Sequence, residues 1–343
     1  MSSAADPVPS LAGQVAALGR EAPMPAVAVA VFTRERQLAE IVHGVADLGT
    51  GRPVTRQDWW DLASLTKVLV TVPEVLELVA TRRIGLDEPL RAAWPDARRA
   101  PFAGATVARL LSHDAGLPAT VRFFETTTGR DRIVDAALRT RPERAAGAGA
   151  VYSDVGYIVL GAMVEALTGR SLAEGRHGPR FAPLPGPAVA TERCRWRGRL
   201  ITGEVHDENA AAMGGVAGHA GAFATIGQVA RIGQAWLTER VTTPALHTAV
   251  RECWSSNEDG DRFGLGWWLT PTRGLGGPRA GADGYGMSGF VGNRIWLEPG
   301  RGYGVAVLSN RVHPVRGDRA PFDTWCARLL TTVADALQGD ASG

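Results

Sequence analysis

Lysine is almost absent from this chain of 343 residues. All 37 basic side chains are arginine except Lys67. Surface positions accept either cation, but only lysine can lose its proton near neutral pH in a suitable environment. The one lysine that remains is therefore a candidate functional residue, and its survival by chance is the alternative.

Cysteine is scarce as well. Cys194, Cys253 and Cys326 are odd in number and far apart, which fits neither a disulfide framework nor a set of metal ligands. Free thiols of this kind are usual in a reducing compartment. No apolar run reaches the length of a signal-peptide core or a membrane span, and the longest early one covers residues 26–32. We expect a cytoplasmic protein without a membrane partner.

The chain also lacks an excess of charge of either sign. Its 37 basic and 35 acidic residues give a net charge of +2, which offers no electrostatic basis for binding nucleic acid. Residues 193–199 (RCRWRGR) are one basic cluster with an aromatic residue. In a nearly neutral chain, a solvated strand or a contact with an anionic substrate is the favoured interpretation of this cluster.

Motifs for metals and nucleotide cofactors are incomplete. The pairs His113-Asp114 and His206-Asp207 have no third and fourth ligand at helical or hairpin spacing, so hydrogen bonds within loops are favoured. The glycine-rich residues 215–221 lack the preceding strand of a dinucleotide site and the lysine of a phosphate-binding loop. We expect neither a metal nor a cofactor.

Strand-like and helix-like segments are unevenly distributed along the chain. Strands are predicted near both ends and helices in the middle, without β-α-β alternation, which indicates an α+β fold. We expect one domain over residues 1–343, with an α/β part at about 1–90 and 231–343 and a helical subdomain at about 91–230. The predicted strands are 26–32, 38–46, 263–269, 290–297 and 303–309, and the predicted helices are 10–20, 61–85 with a kink or restart at Pro73, 155–167, 228–237 and 322–337.

One four-residue motif carries possible chemistry. Ser64 and Lys67 form a Ser-x-x-Lys, and on a helix residues three apart share a face, so hydroxyl and amine can meet. A serine at a helix N-terminus lies beside free N–H groups that can stabilise an oxyanion. A partly desolvated Lys67 would have a lowered pKa and could accept the serine proton. Coincidence is the alternative, and the scarcity of lysine argues against it.

Two further groups are weaker on their own. Tyr152 precedes a predicted helix and could present its phenol to a site, although a structural tyrosine with Ser153 or Asp154 as the helix cap explains it equally. Residues 284–290 (GYGMSGF) combine glycines, which permit close backbone approach, with a following predicted strand. A simple turn is the alternative there.

Five segments in order resemble the superfamily of serine β-lactamases and penicillin-binding proteins, specifically its class C-type branch of esterases, D-aminopeptidases and transacylases. With the flanking strands and helix they span residues 26–338. The resemblance implies a β-lactamase/transpeptidase-like fold, in which an antiparallel sheet is flanked by N- and C-terminal helices and carries an inserted helical subdomain. The five segments are DLASLTKVL around Ser64, TVARLLSHDAGLP (106–118), VYSDVGYIVLGAMVE (151–165), GEVHDENAAAMGGVAGHAGAFAT (203–225) and NRVHP (310–314).

The resemblance also implies roles for individual residues. Ser64 would be the acylated nucleophile, and Lys67 and Tyr152 would share the general acid and base work. The backbone N–H groups of Ser64 and Phe290 would form the oxyanion hole. Substrate contacts are expected from Asp154, Met287, Ser288, Gly289 and, in an apolar acyl pocket, Trp60.

Two positions depart from the family pattern. Met287 stands where the Lys/His-Thr-Gly triplet has a cation or an imidazole, which helps to hold the substrate carboxylate. Because methionine offers neither charge nor a strong donor, β-lactam and D-Ala-D-Ala substrates are placed in doubt. Asp154 replaces the usual Asn, and its charge should favour a protonated Lys67.

The sequence therefore predicts serine acyl transfer on a small ester or amide. The enzyme would be an esterase or amidase, or a biosynthetic transacylase that passes the acyl group to an amine acceptor. A β-lactamase or D-amino-acid peptidase is the alternative within the family, and a non-catalytic binding or regulatory protein on the same fold is the alternative of another class. The oligomeric state stays open.

Overall fold

The computed structural model describes residues 10–175, 178–272 and 274–339. The strands over these residues are β1 (Ala26–Thr33), β2 (Gln37–Asp47), β3 (Arg52–Pro53), β4 (Trp60–Asp61), β5 (Ala190–Cys194), β6 (Arg199–Thr202), β7 (Phe223–Ala224), β8 (Ser255–Ser256), β9 (Arg262–Phe263), β10 (Trp268–Leu269), β11 (Tyr285–Gly289), β12 (Asn293–Glu298) and β13 (Tyr303–Ser309). The α-helices are α1 (Leu11–Arg20), α2 (Val72–Ala80), α3 (Leu90–Ala93), α4 (Val107–Leu111), α5 (Arg130–Leu138), α6 (Asp154–Thr168), α7 (Glu208–Ala212), α8 (Ile226–Leu237), α9 (Pro244–Arg251) and α10 (Ala320–Gly339).

A large antiparallel sheet joins the two ends of the chain. Within the described ranges it has nine strands in the order β3-β2-β1-β13-β12-β11-β10-β9-β8. Its centre is the pairing of β1 with β13, which runs from Val27 opposite Ser309 to Thr33 opposite Tyr303. The strands that lie far apart in sequence are thus neighbours in space, as the α+β prediction requires.

The alternation of side chains along β1 builds both sides of the sheet. Its sequence, AVAVAVFT, is buried on both faces except at the last residue. The alanines and Phe32 belong to the core on the side of α8, and the valines belong to the core beneath α1 and α10. Small residues let α8 approach closely, because a Cβ added at Gly233 of α8 would lie 2.4 Å from a ring carbon of Phe32.

Most of the predicted elements are confirmed. The hairpin near the N-terminus, the terminal helices and the antiparallel sheet are present. Helix α6 begins after Ser153, whose hydroxyl accepts the N–H of Gly156 at 3.3 Å, and ends at Gly169 in the left-handed conformation, φ 68°. The predicted helix 61–85 is wrong at its start, because Asp61 lies in β4 and Ser64 in a turn. The restart at Pro73 is confirmed, since a π-helical turn over Lys67–Thr71 leads into α2 with Pro73 in its first turn.

Two strand predictions are wrong in their bounds. The predicted strand 290–297 is β12, which begins three residues later, at Asn293, because residues 290–292 form the turn that joins it to β11, with Gly292 at φ 102°. The motif at residues 284–290 precedes this strand as expected, but most of it is itself strand β11. The predicted strand 263–269 is two short strands, β9 and β10, that pair with each other. No helix in the described ranges is long and apolar enough to cross a membrane. The single-domain assignment stays a prediction.

Candidate active site

Ser64 lies on a tight turn between β4 and the π-helical segment. The residue before it, Ala63, has a left-handed φ of 44°, a conformation that costs energy for alanine. Asp61 holds this turn, because its carboxylate accepts the N–H of Ala63 at 2.7 Å and the N–H of His206 at 2.5 Å. The nucleophile candidate is thus fixed against the loop that carries His206.

Lys67 is fully buried and uses all three of its N–H donors. Its Nζ lies 3.0 Å from Ser64 Oγ, 2.8 Å from Asp154 Oδ1 and 3.1 Å from the carbonyl oxygen of His219. Burial lowers the pKa of Lys67, but the charge and hydrogen bond of Asp154 outweigh burial, and the net pKa lies above the ordinary value. The expectation of a lowered pKa for Lys67 is therefore wrong, and the expectation that Asp154 favours the protonated amine is confirmed.

Tyr152 lies beside this ion pair. Lys67 Nζ is 4.9 Å from the centre of the Tyr152 ring. The phenol oxygen is buried and makes no hydrogen bond of normal geometry with any described residue. Burial raises the pKa of Tyr152 and the charge of Lys67 lowers it, with a net rise. The phenol is therefore protonated at rest and available to an incoming group.

The segment around His113 holds Tyr152 and Asp154 in place. The carbonyl of His113 accepts the N–H of Val151 at 2.9 Å, and its Nδ1 accepts the N–H of Ser153 at 3.0 Å. The imidazole packs on the Tyr152 ring with centroids 4.5 Å apart. Burial and the charge of Lys67 hold the pKa of His113 well below its ordinary value, so the ring is neutral. The pair His113-Asp114 is thus a hydrogen-bonded loop element, as the sequence favoured.

The oxyanion donors proposed from the sequence are both free. Among the described residues, the backbone N–H groups of Ser64 and Phe290 donate no hydrogen bond. Gly289 lets strand β11 approach the turn before Ser64, because a Cβ there would lie 2.9 Å from the Leu62 carbonyl oxygen. Asn293 ties the two sides together, since its Nδ2 donates to the Asp61 carbonyl oxygen at 2.7 Å.

Two of the predicted substrate contacts are wrong. Met287 is fully buried in the core opposite Ile295, because side chains alternate along β11 and the face that meets the cavity belongs to Ser288. Trp60 is buried as well and pairs in β4 with Ala224 of β7. Neither residue lines the cavity. These strands are too short for the sequence to indicate which of their faces is buried. The burial of Met287 and Trp60 is therefore not predictable from the sequence.

A cavity of about 960 Å³ opens above Ser64. It reaches from Ser64 and Tyr152 to α10, and its lining includes Asp154, Ser288, Gly289 and Phe290. Much of the cavity wall is not predicted from the sequence. The pair His206-Asp207 and residues 215–221 stand out there only as possible metal and nucleotide motifs. The missed residues include His206, Asp207, His219, Asp261, Trp268, Arg294, Arg316, Arg319 and Asp323.

The remaining candidate motifs lie in structural roles. Residues 193–199 belong to the β5–β6 hairpin, where Arg199 pairs with Glu204 and Arg197 binds the carbonyl oxygens of Val205 and His206. Within the described ranges, no three His, Cys, Asp or Glu side chains come together in a way that could hold a metal ion.

Comparisons with known proteins agree on one family. A family model described as "Beta-lactamase" matches residues 11–325. The chain is 27% identical to the N-acetylmuramyl-L-alanine amidase of Bacillus subtilis (strain 168), covering 81% of this chain and 76% of that protein. It is 30% identical to a putative D-alanyl-D-alanine carboxypeptidase of Escherichia coli (strain K12), covering 74% and 69%.

A solved structure gives the same fold. The structure described as "EstCE1, a hydrolase with promiscuous acyltransferase activity" superposes with a TM-score of 0.73 at 16% identity, covering 94% of this chain and 96% of that one. At this level of identity the likeness concerns the fold alone.

Proposed function

Because the chain belongs to the beta-lactamase family of serine hydrolases, we propose that it transfers an acyl group from a small ester or amide through an ester on Ser64. The observation that supports this most is the position of Lys67 Nζ, 3.0 Å from Ser64 Oγ. The free N–H groups of Ser64 and Phe290 supply a place for the oxyanion. Nucleophile, proton carrier and oxyanion donors are then all present at one end of the cavity.

The resting protonation states suggest a proton route. A protonated Lys67 cannot accept the serine proton unless it first gives one away, and Asp154 Oδ1 at 2.8 Å is the acceptor in contact with it. We assign the serine proton to Asp154 by way of Lys67: the carboxylate takes a proton from the ammonium as the amine takes one from Ser64 Oγ. The Oγ then attacks the acyl carbon, and the negative oxygen forms at the two N–H groups.

Tyr152 completes the cycle as the acid. Its protonated phenol gives a proton to the leaving oxygen or nitrogen as the tetrahedral intermediate collapses to the acyl-enzyme. An incoming water or amine then returns a proton to the Tyr152 phenolate while it attacks the ester. Ser64 Oγ leaves and recovers its proton from the Lys67–Asp154 pair, so that every group ends in its starting state.

The substrate class and the acyl acceptor are inferred from the site and from the relatives. We favour hydrolysis or aminolysis of a small ester or amide over β-lactams, because Met287 supplies no charge where the family has a cation or imidazole. The amidase relative supports this range. A β-lactamase or D-amino-acid peptidase activity is the alternative. A cytoplasmic location stays a prediction from the scarcity of cysteine.

Intact-protein mass spectrometry tests the acyl-enzyme. The protein is incubated with p-nitrophenyl esters, a fluorophosphonate and a penicillin, next to Ser64→Ala and a matched control, Ser171→Ala, which changes an exposed serine of a capping turn. We expect an adduct from the ester and the fluorophosphonate in wild type and Ser171→Ala, and none in Ser64→Ala. An adduct that persists in Ser64→Ala, or none in wild type, contradicts the proposal. A stable penicillin adduct would favour the alternative.

A further inference from the structure

Asp207 stands on the wall of the cavity that holds Ser64. It caps helix α7, and its Oδ1 accepts the N–H of Ala210 at 2.7 Å. The same oxygen accepts a hydrogen bond from His219 Nε2 at 2.8 Å. Two donors therefore fix one carboxylate oxygen, while part of the side chain stays open to the cavity.

The carboxylate of Asp207 is ionised. Burial raises its pKa, but the interactions with His219 and with the Ala210 N–H outweigh burial and leave the pKa well below the ordinary value. Since an ionised carboxylate has no proton to give, His219 Nε2 is the donor of this hydrogen bond.

Two polar atoms of this pair have no partner among the described residues. They are Asp207 Oδ2, for which no hydrogen bond is present, and His219 Nδ1, which is buried. Both residues line the cavity. The free oxygen of an ionised carboxylate is complementary to a donor that also carries positive charge.

One arginine on this wall, Arg316, is already engaged. Arg316 binds Glu208 at 2.8 Å and Glu192 at 2.6 Å, so it is shared between two carboxylates. It does not neutralise Asp207. The wall therefore offers a fixed negative charge to a cation in the cavity.

The pair also lies next to the reacting groups. The carbonyl oxygen of His219 accepts the hydrogen bond from Lys67 Nζ at 3.1 Å. His206, which precedes Asp207, stacks on the ring of Phe290 with centroids 5.5 Å apart, and the Phe290 N–H is an oxyanion donor. Asp207 is thus connected through His219 and His206 to Lys67 and Phe290.

We propose that Asp207 and His219 form a binding site for a cationic nitrogen, an ammonium group, on the substrate. The proposal rests on the acyl-transfer function above and names its substrate class. The ammonium could belong to the acyl donor or to an amine acceptor, and the experiment separates these two sources. A site built for a charged donor discriminates against the neutral analogue, because the analogue leaves the free carboxylate oxygen without a charged partner.

Matched substrates test the donor side. The benzyl esters of alanine and N-acetylalanine, in both configurations, differ in the charge of the nitrogen. If the donor carries the ammonium, wild type prefers the free amine by roughly 10- to 100-fold in kcat/KM. Asp207→Asn, which keeps the helix cap, reduces that preference to less than about threefold. The matched control Glu208→Gln, one residue further along, keeps the preference.

Matched acceptors test the other side. With a fixed ester, ethylenediamine is compared with propylamine as the acceptor, and the ratio of aminolysis to hydrolysis is read from the products. If the acceptor carries the ammonium, the diamine is preferred in wild type and not in Asp207→Asn. Equal rates for charged and neutral partners in both assays, or a preference that survives in Asp207→Asn, overturn the proposal.

A measurement on the wild-type protein tests the cation site without depending on the folding of any variant. Labelling of Ser64 by a fluorophosphonate is timed in the presence of propylammonium or of propanol. We expect propylammonium, but not propanol, to slow the labelling. Equal labelling rates with the two compounds overturn the proposed cation site. If the fluorophosphonate does not label wild type at all, the acyl-transfer function fails, which is a different outcome from failure of the cation site.

Discussion

The Nζ of Lys67 lies 2.8 Å from Asp154 Oδ1, and the lysine side of this ion pair is completely buried. The pair ties the first residue of α6 to the π-helical turn that follows Ser64. Because Asp154 raises the pKa of Lys67 against the effect of burial, the amine next to the nucleophile is an ammonium at neutral pH. Catalysis therefore depends on where the ammonium proton goes.

Replacing Asp154 with Asn removes the acceptor for that proton. We expect the rate of Ser64 acylation at neutral pH to fall roughly 10²- to 10⁴-fold. Since burial lowers the pKa of Lys67 and Asn no longer raises it, the remaining rate should climb with pH as the amine deprotonates. The rate constant for inactivation by a fluorophosphonate, measured across the pH range, checks both points.

Thr120→Val is the matched control for this variant. The Thr120 hydroxyl donates to Asp154 Oδ2 at 3.1 Å. The variant therefore removes one hydrogen bond from the carboxylate but keeps its charge. Its pH profile should keep the wild-type shape. Faster acylation of Asp154→Asn at neutral pH would contradict the proton route, because it would show that the carboxylate only hinders Lys67 as a base.

The Lys67→Arg variant separates charge from proton transfer. Arginine keeps the positive charge beside Asp154 but does not release a proton in proteins. We expect a loss of acylation of roughly 10²- to 10⁴-fold although the ion pair is retained. Mass spectrometry of the acyl-enzyme over time measures this loss, with circular dichroism as a check of the fold. Wild-type acylation in this variant would rule out Lys67 as the proton carrier.

His113 acts on Tyr152 as a positioning residue. His113→Asn keeps an acceptor for the Ser153 N–H and tolerates the left-handed φ of 61°, whereas His113→Phe keeps only the aromatic contact. We expect kcat to fall by up to about 10²-fold in His113→Phe with a smaller change in KM, and less in His113→Asn. The alkaline limb of the kcat profile should also move, since it reports the Tyr152 phenol.

A buried histidine far from the cavity controls for lost stability. His247→Asn replaces a buried ring that packs on Trp236. It should lower the melting temperature and leave kcat and its pH dependence as in wild type. If His113→Phe changes the melting temperature but neither kcat nor the pH profile, His113 has only a structural role.

Gly289 is required for the geometry of the oxyanion hole. Gly289→Ala places a Cβ 2.9 Å from the Leu62 carbonyl oxygen, so β11 must move and carry the Phe290 N–H with it. Loss of one oxyanion donor costs roughly 10²- to 10³-fold in kcat. The control Gly317→Ala adds a Cβ with no atom within 4 Å and should behave as wild type. Equal kcat in both variants would remove Phe290 from the oxyanion hole.

Short-range patterns and the family resemblance were enough to select the candidate site residues, whereas contacts between distant segments were not predictable. Ser64 and Lys67 are three residues apart, and Ser153 is a recognisable helix cap, so both features can be seen in the sequence. The burial of Met287 and Trp60 depends on which face of a two- to five-residue strand meets the core, and such short strands carry little periodicity.

The pKa of Lys67 is a second property that the sequence alone does not determine. The sequence indicates that Asp154 raises this pKa and that burial lowers it, and only the 2.8 Å contact decides between the two effects. His219 likewise reaches Asp207 and Lys67 across loops that are distant from the nucleophile in sequence. No periodicity encodes such contacts, so the pair at Asp207 could be found only in the structure.

Glu192 should make the stability of the folded protein depend on pH in the acid range. Burial raises its pKa, but His206 and the 2.6 Å contact with Arg316 outweigh burial and lower the pKa to about 2 from an ordinary value of 4.5. A carboxyl with a lowered pKa in the folded state stabilises the fold above the unfolded pKa, and this contribution is lost as pH falls towards 2. Glu192→Gln lacks that contribution at every pH. The difference in melting temperature between wild type and Glu192→Gln should therefore be largest near neutral pH and shrink between about pH 5 and pH 3, whereas Glu35→Gln, at an exposed position, should show no such trend. A difference that stays constant over this range would mean that the Glu192–Arg316 contact does not form in solution.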